Sequence, residues 1–150
     1  MKKKNDVLQA AMGVLFLGYL AVLAYLLFFS STYGRTMEAG YRYNLTPMLE
    51  IMRGIQNIER VGYRYVMVNI GGNIVAFMPF GFFVSALSER KQNLFTILLK
   101  TFLFSFTIEV TQYFTQTGAF DVDDLMLNTF GGALGFVCYW MIAGRRKSRR

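Results

Sequence analysis

The sequence predicts an all-α membrane protein, with transmembrane helices at about residues 7–30, 66–87, 94–115 and 125–143 and an amphipathic helix at about 47–61. Three observations predict it. With 54% hydrophobic residues and a mean hydropathy of +0.34, the chain is too apolar for an ordinary soluble domain of 150 residues. Four apolar runs each match the ~20 residues that a helix needs to cross a bilayer. The one long connection, between the first and second runs, carries apolar residues at helical spacing. The whole chain, 1–150, reads as a single transmembrane domain.

The first run, Val7 to Ser30, has only Gln9 as a strongly polar interruption. Lys2, Lys3 and Lys4 resemble the n-region of a signal peptide. The run is too long for the apolar region of one, and Phe28 to Tyr33 is too bulky for a cleavage site, so an uncleaved helix is expected. In the long connection, Met48, Ile51, Met52, Ile55, Ile58 and Val61 share one helical face, while Glu50, Arg53, Gln56, Asn57, Glu59 and Arg60 take the other. Thr46 is a fitting cap and Pro47 a fitting first residue. Such a helix lies on a membrane surface, anchored by Tyr33, Tyr41, Tyr43, Tyr63 and Tyr65, or serves as a lid over a site between the spans. The second span contains Gly71, Gly72, Pro79 and Gly81 and should bend or break near Pro79. Ser88–Asn93 and Gln116–Asp124 are short, so the last three spans are sequential antiparallel neighbours.

Basic residues orient the bundle, because Lys and Arg near span ends are held on the cytoplasmic side. With both termini inside, that side holds Lys2, Lys3, Lys4, Arg90, Lys91, Arg145, Arg146, Lys147, Arg149 and Arg150. The outer side holds Arg35, Arg42, Arg53, Arg60 and Arg64. The expected location is a bacterial cell membrane, multi-pass, with both termini cytoplasmic. The net charge of +7 is explained by basic ends beside anionic lipid, and no basic reading motif points to nucleic acid. There is no histidine, and Cys138 is the single cysteine. Histidine-dependent triads, histidine-ligated metals and an intrachain disulfide framework are therefore excluded.

Ionisable and amide groups are costly in hydrocarbon unless they face each other or a wet cavity. In the second span Asn69, Asn73, Phe77 and Gly81 recur every four residues. In the third, Thr101, Ser105, Glu109, Gln112 and Gln116 form a stripe, and in the fourth Asp121, Asp124, Asn128, Gly132 and Gly135 do the same. The alternating directions of the spans bring Asn69, Asn73, Glu109, Gln112, Asp123, Asp124 and Asn128 to one depth, in the outer half. Amides there also serve as glue between helices. Glu109 exceeds that need, because glue need not be ionisable; Arg42 and Arg64 are its nearest candidate partners. Asp123 and Asp124 either cap and complement the fourth helix or belong to a polar site. Three carboxylates without further oxygen ligands make a thin shell for a metal, so neither a metal nor another cofactor is expected. Gly131 and Gly135 form a small-xxx-small pair for close packing.

These residues fall in order: Asn69-Ile-Gly-Gly-Asn73, Phe77-Met-Pro79-Phe-Gly81, Glu109-Val-Thr-Gln112, and Asp121-Val-Asp123-Asp124 followed by Asn128 and Gly131-Gly132. Asn44-Leu-Thr-Pro47-Met48 precedes them. The set resembles the VanZ-like family of bacterial membrane proteins over about residues 44–135, with Met48 where that family usually has Phe. The resemblance implies an association with resistance to teicoplanin and related lipoglycopeptides in Gram-positive bacteria. Its motif positions here are Asn69, Asn73, Pro79, Gly81, Glu109, Gln112, Asp121, Asp123, Asp124, Asn128 and Gly132, and no catalytic assignment comes with them.

Three functions compete. A non-enzymatic envelope protein would bind a lipid-linked cell-wall precursor or the lipoglycopeptide in an outer-leaflet polar pocket, through Asn69, Asn73, Glu109, Gln112, Asp121, Asp123, Asp124, Asn128, Arg42 and Arg64. An integral-membrane enzyme on a lipid-linked substrate would use Glu109 with Asp123 or Asp124 as acid and base. A small proton-coupled efflux protein would exchange protons at Glu109. The absence of histidine, of a reactive-cysteine setting and of a phosphate-gripping loop weighs against the enzyme. Membrane lipids are the expected surroundings, and a homodimer fits four thin spans with a glycine-lined helix.

Overall fold

The computed structural model describes residues 2–29, 42–88 and 92–148, with side chains described for 6–29, 42–88 and 92–143. Ser30, Tyr33, Arg35, Tyr41, Arg90, Lys91, Arg149 and Arg150, which entered the span and orientation reading, lie outside the described residues. So do the side chains of Lys2 to Lys4 and of Arg145 to Lys147. The order of elements is α1 (Lys2–Phe29), β1 (Tyr43–Asn44), α2 (Leu49–Gln56), α3 (Ile58–Val61), α4 (Tyr63–Leu87), α5 (Leu94–Thr115), β2 (Phe120–Asp121) and α6 (Val122–Ser148). Helices α1, α4, α5 and α6 are long and apolar enough to cross a membrane.

The bundle is built around α4 and α6, which run parallel in the broadest contact of the fold. Glycine makes that approach possible. A Cβ at Gly131 would meet the Ile74 carbonyl, one at Gly135 the Met78 carbonyl, and one at Gly81 the carbonyl of Gly132. Gly132 also faces Thr101 of α5, so three helices converge on a position where no side chain fits. Helix α5 packs antiparallel to both, with Ile97, Thr101, Ser105 and Ile108 buried along its inner face. Helix α1 leans on this trio through Leu23, which joins Phe77 and Ile108 in the apolar core.

Pro79 does not break α4, which is continuous from Tyr63 to Leu87. Proline removes the rung that would end on Val75. In the next rung, between Ala76 and Phe80, a side chain from α1 intervenes. The Tyr19 hydroxyl donates to the Ala76 carbonyl at 2.7 Å and also receives the Phe80 amide. A hydroxyl inserted beside a proline is a known way to satisfy a disturbed ladder, and here it fixes the height of α1 on α4.

The amphipathic segment differs from the single helix over 47–61. It is two short helices, parted at Asn57, and the first begins at Leu49 rather than Pro47. Thr46 does not cap it. Leu49 N–H donates to the Thr46 carbonyl, and Met48 has φ 65° and ψ 3°, the geometry of a type II turn with Pro47 in its second position. Proline's fixed φ serves the turn instead of the first helical position. Gly62, at φ 87°, then turns the chain straight into α4 three residues earlier than the apolar run suggested. Helix α6 likewise starts at Val122 instead of 125.

The two strands escape the hydropathy pattern altogether. Tyr43 pairs with Phe120 and Asn44 with Asp121 in a parallel ladder. It ties the long connection to the start of α6, reinforced by Phe120 N–H donating to the Arg42 carbonyl at 3.0 Å.

Candidate functional site

The polar residues gather at the end of the bundle formed by the C-terminal turns of α1 and α5 and the N-terminal turns of α4 and α6. Asp123, 1% exposed, does not cap its own helix. Its carboxylate receives the backbone N–H groups of Met48, Glu50 at 2.8 Å and Ile51 at 3.2 Å, so that it caps α2 from α6. The left-handed Met48 aims the first of these amides inward, and the charge sits at the positive end of α2. The cap of α6 is Asp121, whose Oδ1 accepts the Asp123 N–H at 2.8 Å.

Asp121 is also the junction with the strand pair. Its Oδ1 accepts from Asn44 Nδ2 at 2.9 Å, while Asn44 Oδ1 accepts the Thr46 N–H at 3.0 Å and sets the turn. Burial pushes the Asp121 carboxyl above the usual carboxylate range. Hydrogen bonds from the Asp123 amide and the Asn44 side chain oppose that rise, and the charges of Asp123 and Glu50 add to it.

Behind this layer lie the deeper members. Glu109, 2% exposed, accepts the Asp121 N–H on Oε2 at 3.0 Å, so its recorded partner is a backbone amide. Asp124 accepts from Asn73 Nδ2 at 2.6 Å, which joins α6 to α4. Asn128 Nδ2 donates to Ser105 Oγ at 2.9 Å, joining α6 to α5. Asn128 Oδ1 is the one buried side-chain polar atom without a partner among the described residues. Gln112 turns the other way, and its Nε2 donates to the Leu27 carbonyl at the end of α1. Gln116 leaves the stripe, because it caps α5 in the left-handed conformation and is exposed.

Above them opens a cavity of about 260 Å³. Asn69, Gln112 and Asp124 line it from three spans, Glu50 and Arg53 from α2, and Arg42, Tyr43, Asn44 and Asp121 from the strand segments. Glu50 and Arg53 are joined as an ion pair one helical turn apart. Asn69 is half-buried and makes no side-chain hydrogen bond among the described residues. Arg64, in the first turn of α4, is exposed and not among the lining residues. No group of carboxylates among the described residues is placed to hold a metal ion.

The model of the VanZ/LLP1 family matches residues 16–143. The chain belongs to the VanZ/LLP1 family. No curated protein and no solved structure matches it. In this VanZ/LLP1 protein the motif positions named from the sequence have different kinds of place. Gly81 and Gly132 set helix contacts and Pro79 lies within α4, whereas Asn73, Glu109, Gln112, Asp121, Asp123, Asp124 and Asn128 form hydrogen-bonded links between elements and Asn69 lines the cavity.

Glu50, Arg53 and Tyr65 were not singled out as site residues, although they line the cavity. Asn44 was visible only as the first residue of its motif. The polar face of α2 was the available signal for Glu50 and Arg53, since a helix laid over the bundle end must direct that face somewhere.

Proposed function

We propose that this VanZ/LLP1 membrane protein binds the polar head of a lipid-linked envelope component or of a lipoglycopeptide in the cavity between α4, α5 and α6, and thereby lowers lipoglycopeptide action without turning a substrate over. The carrying observation is that cavity: polar stripes from separate spans, each costly in hydrocarbon, converge on its walls. Glue between helices accounts for Gln112 and Asn73. It leaves Asn69 at the wall without a side-chain hydrogen bond among the described residues. With both termini cytoplasmic, as the basic ends favour, the cavity opens to the outer leaflet of the bacterial cell membrane.

The enzymatic reading has less support. Asp123 is occupied by three backbone amides, which leaves Asp124 and Glu109 as the acid and base candidates. Release of product from a purified lipid-linked precursor would establish catalysis and displace the binding reading.

The test is lipoglycopeptide susceptibility in a Gram-positive host producing the chain. At matched membrane levels, Asn69→Ala and Asp124→Asn are expected to lose most of the protection that the unaltered chain gives. Full protection by both variants contradicts the proposal.

A further inference from the structure

A second cavity, of about 290 Å³, lies beside the polar one and differs from it in kind. Its walls are Tyr43, Leu45, Val110, Tyr113, Phe114 and Phe120. Between the two runs the strand pair. A strand sends successive side chains to opposite faces, and this pair uses that rule to divide the space. Asn44 and Asp121, paired in the ladder, face the polar cavity; Tyr43 and Phe120, the neighbouring pair, line the apolar one, and Tyr43 touches both.

Below the apolar cavity α5 carries an apolar face. Phe102, Phe106, Val110 and Phe114 recur every four residues and so share one face, with Phe102, Phe106 and Phe114 exposed. The Phe106 ring packs edge-on to Phe120. An apolar track therefore leads from the strand pair toward the middle of the span. Each cavity alone falls below the roughly 300–1,000 Å³ of small-molecule sites, and the two together fall within it.

We infer that the two cavities are one bipartite site for a bilayer amphiphile, with an amine-bearing head in the polar cavity and one apolar chain along Val110, Phe114 and Phe106. The inference rests on the polar-cavity reading given above and adds the chain site and the class of head. The carboxylates of Glu50, Asp121 and Asp124 outnumber the guanidiniums of Arg42 and Arg53 on the polar walls. An ammonium is a cation that such wall carboxylates can take up through charge-assisted hydrogen bonds. Tyr43 stands where head and chain would join, its ring and its hydroxyl suited to each.

The full chain is placed in phosphatidylglycerol nanodiscs with a trace of phosphatidylethanolamine bearing a diazirine on one acyl chain, or with the same probe N-acetylated. Crosslinks are mapped by mass spectrometry. The amine probe is expected to label Val110, Tyr113 and Phe114 saturably, about tenfold above exposed Trp140 on α6. Asn69→Ala, which breaks no hydrogen bond, and the groove-filling Val110→Trp should each bring that labelling down to the Trp140 level. The acetylated probe should start there. Equal labelling of groove and Trp140 overturns the inference, as does equal labelling by the two probes. If unlabelled amine lipid still binds saturably and Asn69→Ala weakens it while the chain marks no groove residue, the bipartite site fails and the polar cavity stands. If neither head chemistry nor Asn69→Ala alters binding, both fail.

Discussion

The carboxylate of Asp123, in the first turn of α6, accepts the backbone N–H of Glu50 at 2.8 Å, and by this bond an acid of one span holds the helix that walls the cavity. Glu50 is thereby set beside Arg53 on the cavity's edge. An acidic residue suited to capping its own helix instead caps another, more than seventy positions away in the chain.

Asp123→Ala should leave the Met48, Glu50 and Ile51 amides without their acceptor. Loss of a helix cap costs about 0.5–2 kcal/mol, and a buried unpaired donor, here the Ile51 amide, adds about 1–3 kcal/mol. A drop of at least about 2 kcal/mol is expected in detergent unfolding. Hydrogen exchange should show faster exchange at 48–51 than at α5; unchanged protection there contradicts the cap.

Gly135→Ala should destabilise the bundle by about 1–3 kcal/mol, the usual cost of overpacking. The added Cβ meets the Met78 carbonyl, which is backbone and cannot swing aside. Gly71→Ala is the control, because nothing lies within 4 Å of a Cβ there. Thermal unfolding of the two variants in the same detergent should separate them; equal melting would remove close backbone contact as the reason for glycine.

Tyr19→Phe keeps the ring contacts with Phe16 of the same helix and with Phe83 of α4 and removes only the hydroxyl. The expected loss is about 1–3 kcal/mol, that of two hydrogen bonds at about 0.5–1.5 kcal/mol each. Faster amide exchange at Phe80 would locate the effect at the proline-disturbed turn. Exchange rising only elsewhere in α4 would not fit.

The Asp121 carboxyl yields a pH prediction with a definite sign. Burial raises its folded-state value above the ~3.9 of a free aspartate, so its contribution is fully present below that pH and is lost as pH rises through the raised value. Asp121→Asn retains an acceptor for Asn44 and the Asp123 amide but has no charge to bury. The stability of the unaltered protein relative to this variant should fall from pH 4 upward. A constant difference over that range would show that Asp121 ionises without a folding cost.

The spans were legible because hydrocarbon imposes its length on any helix that crosses it. The stripes were legible because buried polar groups repeat at the helical period, and Asn73, Ser105, Glu109 and Asn128 are indeed buried. What remained hidden has physical reasons. A ladder of two residues, Tyr43 and Asn44 on Phe120 and Asp121, is too short to have a period. The start of α2 depends on Asp123, which is distant in sequence, so Thr46 and Pro47 gave a plausible local signal that tertiary capping overrode. Pro79 signalled a bend or a break, and α4 runs through it unbroken, with Tyr19 of another helix satisfying the turn beside it. The apolar groove has no period of its own, because Tyr43, Leu45 and Phe120 join Val110, Tyr113 and Phe114 only through the strand pair.

Equilibrium binding to the purified protein in phosphatidylglycerol nanodiscs tests the central claim most directly, using a lipid-linked cell-wall precursor and teicoplanin as separate probes. Saturable binding of at least one is predicted, weakened about tenfold by both Asn69→Ala and Asp124→Asn and unchanged by Gly71→Ala. Binding that is absent for both probes, or that those two cavity variants leave unaltered, would contradict a ligand site between α4, α5 and α6.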